Sequence, residues 1–336
     1  MFAVMEYAQW VRKAESKHRD QQSPSVTLDA MPEVRAVLDR HLNEKYEPTQ
    51  TIRSVYGQVT GFLASLDWEW FRNNVGLIFP LDQARSKFFS AAWECFVVFN
   101  HPHDTLLREL EPAYRKAVAE INLPTAMRSP GSPKDSLSEH LCAYYWRGHL
   151  TFEGTDRILS DFYALATDPL RAHAMWFIGR SLAGWEEAVP TEVFERLKVL
   201  IERRVAVAEQ GQVDGLKGEL AGFAWWFTAN KLGEEWSLQM LTRILRVTKY
   251  VGDGMDVIKQ LAETSSRHPL ECVSCLELMV QGDRDNWVLV GVDLEARTII
   301  KAALDSGQRE SVLTARRLVE LLIAKGHYGY RALLPT

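Results

Sequence analysis

Residues 190–209 read PTEVFERLKVLIERRVAVAE, and this stretch decides the fold class. Apolar residues recur in it three and four positions apart, which places them on one face of an α-helix; they are Val193, Leu197, Leu200, Ile201 and Val205. The same period returns along most of the chain, whereas the alternating β-branched runs typical of half-buried strands are nearly absent. The sequence therefore predicts an all-α protein.

Residues that typically start and end helices recur along the chain. Several segments begin with a polar capping residue followed by proline, as at Ser132-Pro133 and Asp168-Pro169, and glycine-containing breaks separate the segments. Roughly sixteen helical segments give about 40 residues per pair, the spacing of HEAT or armadillo units. We expect a HEAT-like α-solenoid of stacked antiparallel helix pairs. No self-similar consensus accompanies this period, so an irregular helical bundle is the alternative.

The least helical stretch covers residues 122–132, where Pro124, Ser129, Pro130 and Gly131 cluster. It predicts a boundary between an N-terminal helical half, residues 1–127, and a C-terminal helical-repeat half, residues 128–336, unless the solenoid is continuous. A second break covers residues 283–292. Within it, the run WVLV at 287–290 predicts a short extended segment.

Composition excludes some classes of protein. With 39 basic and 44 acidic residues the net charge is -5, which argues against a protein whose whole surface grips nucleic acid. Residues 297–331 hold seven basic and three acidic side chains, so a local basic patch leaves nucleic-acid binding open. Eleven tryptophans favour large rings wedged between packed helices.

The expected location is the cytoplasm, away from membranes. Residues 1–10 are mostly apolar, with Glu6 interrupting them, but they lack the basic region and cleavage site of a signal peptide, and no apolar run approaches the length of a membrane span. Four cysteines are few for a disulfide scaffold in a chain of 336 residues, so reduced, buried thiols are expected.

A search for chemistry finds no convincing metal or catalytic pattern. Cys272 and Cys275 have the spacing of half a zinc site, but no second pair follows, and they fit an amphipathic helix. His101 and His103, with Asp104, form a weaker metal candidate that also suits a helix cap. Nucleophile elbows and phosphate-binding loops are missing. We therefore nominate no catalytic residue, metal or cofactor, and an all-helical enzyme with a site assembled from distant residues stays an alternative.

Several short phrases, read in order, resemble the C-terminal helical region of large bacterial multidomain proteins of antiphage type; they are IRSVYG (52–57), IFP (78–80), AWE (92–94), VFN (98–100), YWRG (145–148), RAHA (171–174), FAWWF (223–227), GHYG (326–329) and LL (333–334). In those proteins an effector or nucleotide-binding module precedes a long helical array. The phrases are structural, so the resemblance implies context more than activity. It implies a sensor or scaffold region that belongs to a longer polypeptide.

Stacked helix pairs present an extended surface that suits a macromolecular partner without requiring a catalytic pocket. We therefore expect a non-catalytic binding or scaffold module, with protein as the first choice of partner; the oligomeric state stays open. Exposed arginines and aromatic rings are the usual carriers of such binding. The candidate partner-binding residues are Arg203, Arg204, Trp225, Trp226, Arg316 and Arg317.

Overall fold

The computed structural model describes residues 1–16, 27–127 and 131–334. Within these ranges the chain forms eighteen α-helices, three short 3-10 helices and no β-strand. The all-α prediction is therefore confirmed. Among the helices described, none combines the length and the apolar character needed to cross a membrane.

The chain divides into two compact units, residues 1–166 and 167–336. The first unit holds nine helices in its described part; they are α1 (Phe2–Ser16), α2 (Pro32–Leu42), α3 (Gln50–Gln58), α4 (Thr60–Leu66), α5 (Trp68–Ile78), α6 (Ser86–Phe99), α7 (Asp104–Ala119), α8 (Pro133–Trp146) and α9 (Ile158–Leu165). Helix α3 packs along α6, α6 contacts α8, and α7 contacts α5 and α9.

The second unit also holds nine described helices; they are α10 (Asp168–Ala183), α11 (Thr191–Glu209), α12 (Lys217–Ala221), α13 (Phe223–Ala229), α14 (Glu234–Thr248), α15 (Gly254–Thr264), α16 (Pro269–Gly282), α17 (Asp293–Asp305) and α18 (Arg309–Ala324). Here helices contact the helix two further along, as in α14 with α16, α15 with α17 and α16 with α18. This packing places alternate interhelical loops next to each other.

The boundary between the units differs from the one predicted at residues 127 and 128. Two predicted linker residues, Ser129 and Pro130, lie outside the described residues. On their N-terminal side the buried Glu94 carboxylate accepts the backbone N–H groups of Ala126 and Met127 at 3.0 and 2.6 Å. On their C-terminal side Gly131 approaches a methyl group of α6. Ala126, Met127 and Gly131, on either side of these residues, thus pack against α6 of the first unit, which continues to α9.

The core of the first unit is an aromatic cluster around Trp93. Its ring meets Tyr114 edge-on at 4.8 Å and Phe96 at 5.5 Å, and all three side chains are buried. Close helix approach requires glycine at position 57, because a Cβ there would lie 1.9 Å from the carbonyl oxygen of Ala92. The predicted role of the large rings as core residues holds here.

Residues 50–66 form two helices, α3 and α4, which are separated at Val59. The Asn100 side chain explains the break. Its Nδ2 donates to the carbonyl oxygens of Gly57 and Gln58 at 3.1 and 3.2 Å, and its Oδ1 accepts the amide of Gly61 at 3.0 Å. A side chain that satisfies backbone groups in this way replaces part of the helical ladder.

Two local features depart from what the residues alone indicate. A proline inside a helix usually kinks or breaks it, yet α7 runs through Pro112, with buried side chains on both sides of the proline, among them Leu110 and Tyr114. Packing of this face outweighs the lost backbone hydrogen bond. Residues 287–290 form consecutive turns instead of an extended segment, closed by the bonds Val290 N–H to Trp287 O and Val292 N–H to Leu289 O at 3.0 and 3.2 Å.

Candidate partner-binding site

Two interhelical loops of the second unit lie side by side and frame an open pocket. The first, residues 249–253, joins α14 to α15, and the second, residues 283–292, joins α16 to α17. They approach closely at Gly282, the last residue of α16, where a Cβ would lie 1.8 Å from the carbonyl oxygen of Lys249. Only glycine allows this approach, so the distance between the two loops depends on glycine at position 282.

The longer loop has a defined conformation. The Asp283 carboxylate accepts the backbone N–H groups of Asp285 at 3.2 Å and Val288 at 2.9 Å, and Lys325 Nζ donates to the Asp283 carbonyl. Burial raises the pKa of Asp283, but these backbone donors outweigh it and hold the pKa below its ordinary value. Leu289 and Val292 anchor the loop in the core.

The shorter loop is also constrained. The hydroxyl of Thr248 donates to the carbonyl oxygen of Tyr250 at 2.7 Å and accepts the Tyr250 amide at 3.2 Å. Of the five non-glycine residues with positive φ in the described chain, Lys249 and Asp253 belong to this loop and Asn286 to the other. Such conformations concentrate at functional sites.

Large apolar side chains of these loops and of the first turn of α15 are exposed to solvent. The pocket between them has a volume of about 450 Å³ and is lined by Tyr250, Met255 and Trp287, which are 60%, 49% and 70% exposed. Tryptophan, tyrosine and methionine are enriched at protein interfaces, and tryptophan and tyrosine dominate their binding energy. The pocket therefore has the side chains of a protein-binding hot spot.

Charged side chains of both signs border the same pocket. Lys249 and Arg284 contribute cations, and Asp253 and Asp285 contribute carboxylates; all four are exposed, and none has a side-chain ion pair within the described ranges. The pKa of Asp253 is raised by burial and by Asp256, against the opposing effect of Lys259. Its charge is thus poorly compensated within the chain, and an incoming cation would stabilise it.

Two residues nominated from the sequence are internal. Trp226 is fully buried, and its Nε1 donates to the carbonyl oxygen of Met175 at 2.8 Å, so the ring offers no surface to a partner. Arg204 is 12% exposed and donates from Nε and Nη2 to the carboxylate of Glu219 at 2.6 and 3.0 Å. Both side chains stabilise the unit from inside.

Glu219 is the centre of a buried ion cluster. Its carboxylate has no exposed surface and also accepts Nε of Arg171 at 2.6 Å. Asp168 completes the arrangement by accepting the backbone N–H groups of Gly218 and Glu219, both at 2.8 Å. Sequence reasoning nominated Arg204 as a partner-binding residue and missed its pairing with Glu219, because that carboxylate lies fifteen residues away on a different helix, α12.

The other nominated residues lie nearer the surface. Arg203 is exposed and Trp225 is half-buried. Arg316 is exposed, and Arg317 pairs with Glu277 at 3.3 Å and donates to Thr314 Oγ1 at 2.9 Å. None of the six nominated residues lines the pocket between the two loops.

The basic patch predicted over residues 297–331 is partly neutralised. Arg297 pairs with Asp293 at 2.7 Å and lies over the ring of Tyr330, with its guanidinium carbon 4.4 Å from the ring centroid. Arg317 pairs with Glu277, as above. An arginine that is paired with a carboxylate attracts a phosphate less strongly, so these ion pairs argue against a nucleic-acid interface over these residues.

Sequence reasoning missed the pocket, although one signal was present. Trp287 and Val290 are large apolar residues outside any helical period, in a stretch rich in aspartate and glycine. An apolar side chain that no helix face can bury is a candidate for exposure. That Tyr250 lies on the same pocket could not be read from the sequence, because it depends on how α14 packs on α16.

The CxxC motif lies inside α16, as expected. Cys272 and Cys275 are buried reduced thiols, and burial raises their pKa to about 11 and about 12. Such thiols are poor ligands and nucleophiles. Across the described ranges, no three side chains of the metal-binding types converge on one point. Asp104 of the HPHD stretch instead pairs with Arg147 and His149, each at 3.1 Å.

A second buried polar network lies in the first unit. His140 Nε2 lies 2.8 Å from the carbonyl oxygen of Asn100, and Nδ1 lies 2.7 Å from the hydroxyl of Tyr114. A carbonyl only accepts, so Nε2 carries the proton and Nδ1 accepts from the tyrosine. Burial lowers the pKa of His140 to about 4. The imidazole is therefore neutral and serves as a structural link between α6, α7 and α8.

Comparison of the chain with protein-family models, with curated proteins and with solved structures finds no significant match. The fold and the site therefore define its class: an all-α protein with an exposed pocket of aromatic and charged side chains between two interhelical loops.

Proposed function

We propose that this chain is a non-catalytic binding module that engages a protein partner through the pocket between residues 249–253 and 283–292. The observation that carries the proposal is the exposure of Tyr250, Met255 and Trp287 around one cavity of about 450 Å³. Burying such side chains against a partner removes apolar surface from water at about 25 cal/mol per Å². The backbone that carries them is already held in place, which lowers the entropy cost of binding.

The partner that fits this pocket is a peptide segment with a bulky apolar side chain next to a lysine or arginine. The apolar side chain would pack between the rings of Tyr250 and Trp287. The residues that line the pocket carry one net negative charge, because three are carboxylates and two are cations; they are Asp253, Asp283 and Asp285 on one side and Lys249 and Arg284 on the other. A basic residue beside the anchor complements that charge and can also lie against an exposed ring.

The architecture supports a scaffold role in the same proposal. In the second unit, helices contact the helix two further along the chain. Stacked helix pairs of a HEAT-like solenoid make contacts of this kind, and we propose that this unit is such a solenoid. The resemblance to the helical region of antiphage-type multidomain proteins supports a sensor or scaffold function within such a protein. A sensor of this kind binds a ligand or partner and needs no turnover of its own.

Selection from a random peptide library displayed on phage tests the proposal. The purified chain serves as target, and the Trp287→Ala variant serves for counter-selection, with the Trp10→Ala variant as matched control because Trp10 is 65% exposed in the other unit. We expect enriched peptides to combine an aromatic or aliphatic anchor with a nearby basic residue, and to be retained by Trp10→Ala. Enrichment of peptides that bind Trp287→Ala equally well would contradict the proposal, as would a consensus rich in acidic residues.

A further inference from the structure

A second cleft, in the first unit, lies between α5 and α7 and has no role in the proposed function. Its volume is about 680 Å³, within the range of small-molecule sites. Six side chains line it: Trp68, Arg72, Asp104, Thr105, Arg108 and Glu109. This set combines one large aromatic ring with two guanidinium groups, two carboxylates and a hydroxyl.

Helix geometry brings these side chains together. Trp68 and Arg72 are four residues apart on α5, so they lie on the same face of that helix. On α7, Thr105 is three residues before Arg108 and four before Glu109, which gives a second matching face. The two faces meet across the cleft, since Arg72 Nε lies 3.4 Å from a carboxylate oxygen of Glu109.

The charges of the cleft do not cancel. The charge of Glu109 is offset by Arg72, and the charge of Asp104 is offset by Arg147. Although burial raises the pKa of Asp104, hydrogen bonds from His149 and Arg147 outweigh it and hold the pKa below its usual range. Arg108 is exposed and has neither an ion pair nor a side-chain hydrogen bond to any described residue. The cleft therefore keeps one uncompensated guanidinium, which suits an anion.

The aromatic ring of the cleft is supported from inside. Trp68 packs against the buried Phe71 with ring centroids 5.9 Å apart and remains 38% exposed. A ring fixed by a core residue, with part of its surface open, is a platform on which a planar base stacks. Arg72, one turn along α5, can approach a phosphate that follows such a base.

We propose that the cleft between α5 and α7 binds a free mononucleotide. The base stacks on Trp68, the phosphates meet Arg108 and Arg72, and the carboxylates of Asp104 and Glu109 accept hydrogen bonds from the ribose hydroxyls. Each part of the ligand thus has a side chain of matching chemistry within one cavity. A phosphorylated peptide would leave the aromatic ring without a partner, and inorganic phosphate would use only the arginines.

Isothermal titration calorimetry with the purified full chain tests this site. The probes are the four nucleoside triphosphates and, separately, their nucleosides and inorganic phosphate. We expect at least one triphosphate to bind one to one, and its nucleoside and free phosphate to bind at least about tenfold more weakly, as loss of charged hydrogen bonds or of stacking implies. Affinity should fall as salt concentration rises.

Substitutions in the cleft test whether the nucleotide binds there. Arg108→Ala and Trp68→Leu should each weaken the nucleotide by about tenfold or more. Arg115→Ala is the matched control, because Arg115 lies on the same helix and pairs with Glu111 away from the cleft; it should leave the affinity unchanged. A circular-dichroism melt of each variant separates loss of binding from loss of fold.

Three results would overturn the proposal. One is the absence of binding at millimolar nucleotide to the folded protein. Another is nucleotide affinity that survives both Arg108→Ala and Trp68→Leu. The third is binding of single-stranded oligonucleotides that depends on Arg108 while no mononucleotide binds. The result is independent of the peptide-binding proposal, since Trp287→Ala changes the other pocket and should leave nucleotide binding intact.

Discussion

Gly282, at the end of α16, lies against the carbonyl oxygen of Lys249, the residue that follows α14, so closely that a Cβ at position 282 would be 1.8 Å from that oxygen. This contact sets the separation of the two loops that carry Tyr250 and Trp287. Both the stability of the second unit and the shape of its pocket therefore depend on a missing side chain.

Substitution of Gly282 should separate the loops. We expect Gly282→Ala to lower the free energy of unfolding by about 1–3 kcal/mol, the usual cost of forcing extra atoms into a packed contact, and to weaken the selected peptides. Urea denaturation measures the first effect. Gly76→Ala is the control: no atom lies within 4 Å of a Cβ at this helical position, so it should be neutral or stabilise by about 0.5–1 kcal/mol. Equal stability of the two variants would refute the contact.

The buried carboxylate of Glu219 should be far more sensitive than surface carboxylates. Glu219→Ala removes the buried carboxylate that Arg171 and Arg204 share, and we expect a loss of about 3–5 kcal/mol in the free energy of unfolding. Glu209→Ala removes an exposed pair with Arg243 and should cost under about 1 kcal/mol. Chemical denaturation of both variants checks the difference, and a small effect at Glu219 would mean that the cluster is solvated.

Acid should destabilise the first unit through His140. Its pKa is about 4 in the folded chain and near 6.5 when unfolded, so the unfolded state binds more protons between these values. The contribution of neutral His140 is complete above pH 6.5 and is lost as the pH falls toward 4. We expect about 2 kcal/mol less stability at pH 5 than at pH 7 from this group.

Two measurements check the His140 prediction. Denaturation curves at pH 7 and pH 5 should differ less in His140→Gln, whose side chain does not titrate. NMR titration of the imidazole in the folded wild type should show no more than about a tenth of it protonated at pH 5. A midpoint near pH 6.5 would contradict the buried, neutral imidazole.

The thiols of α16 should resist alkylation. Because burial raises the pKa of Cys272 to about 11, we expect it to react with iodoacetamide at pH 8 at least about a hundredfold more slowly in the folded chain than in urea. The half-buried Cys95 should react first. Mass spectrometry of timed samples reads the order of labelling, and fast labelling of Cys272 in the folded chain would show that α16 opens.

Sequence periodicity was sufficient for the helices because buried stripes such as Leu197, Leu200 and Ile201 are local patterns. It could not locate the break at Val59, which depends on the side chain of Asn100 forty residues away, nor the continuity of α7 through Pro112, which depends on packing. The candidate arginines show the same limit. Arg203 and Arg204 are neighbours in sequence, yet Arg203 is exposed and Arg204 is held by Glu219.

The position of the pocket could not be predicted from sequence patterns for a related reason. Trp287 and Tyr250 are more than thirty residues apart in the chain, and the packing of α14 against α16, with its close contact at Gly282, brings their loops together. A single exposed tryptophan carries little meaning, whereas two rings and a methionine around one cavity indicate a site.

The most direct test is the affinity of the strongest selected peptide for the wild type and for Trp287→Ala, measured by calorimetry. We predict that the substitution weakens binding by about 2 kcal/mol or more, as for a hot-spot residue, while Trp10→Ala binds like the wild type. Equal affinity of wild type and Trp287→Ala would contradict a partner-binding site between the two loops.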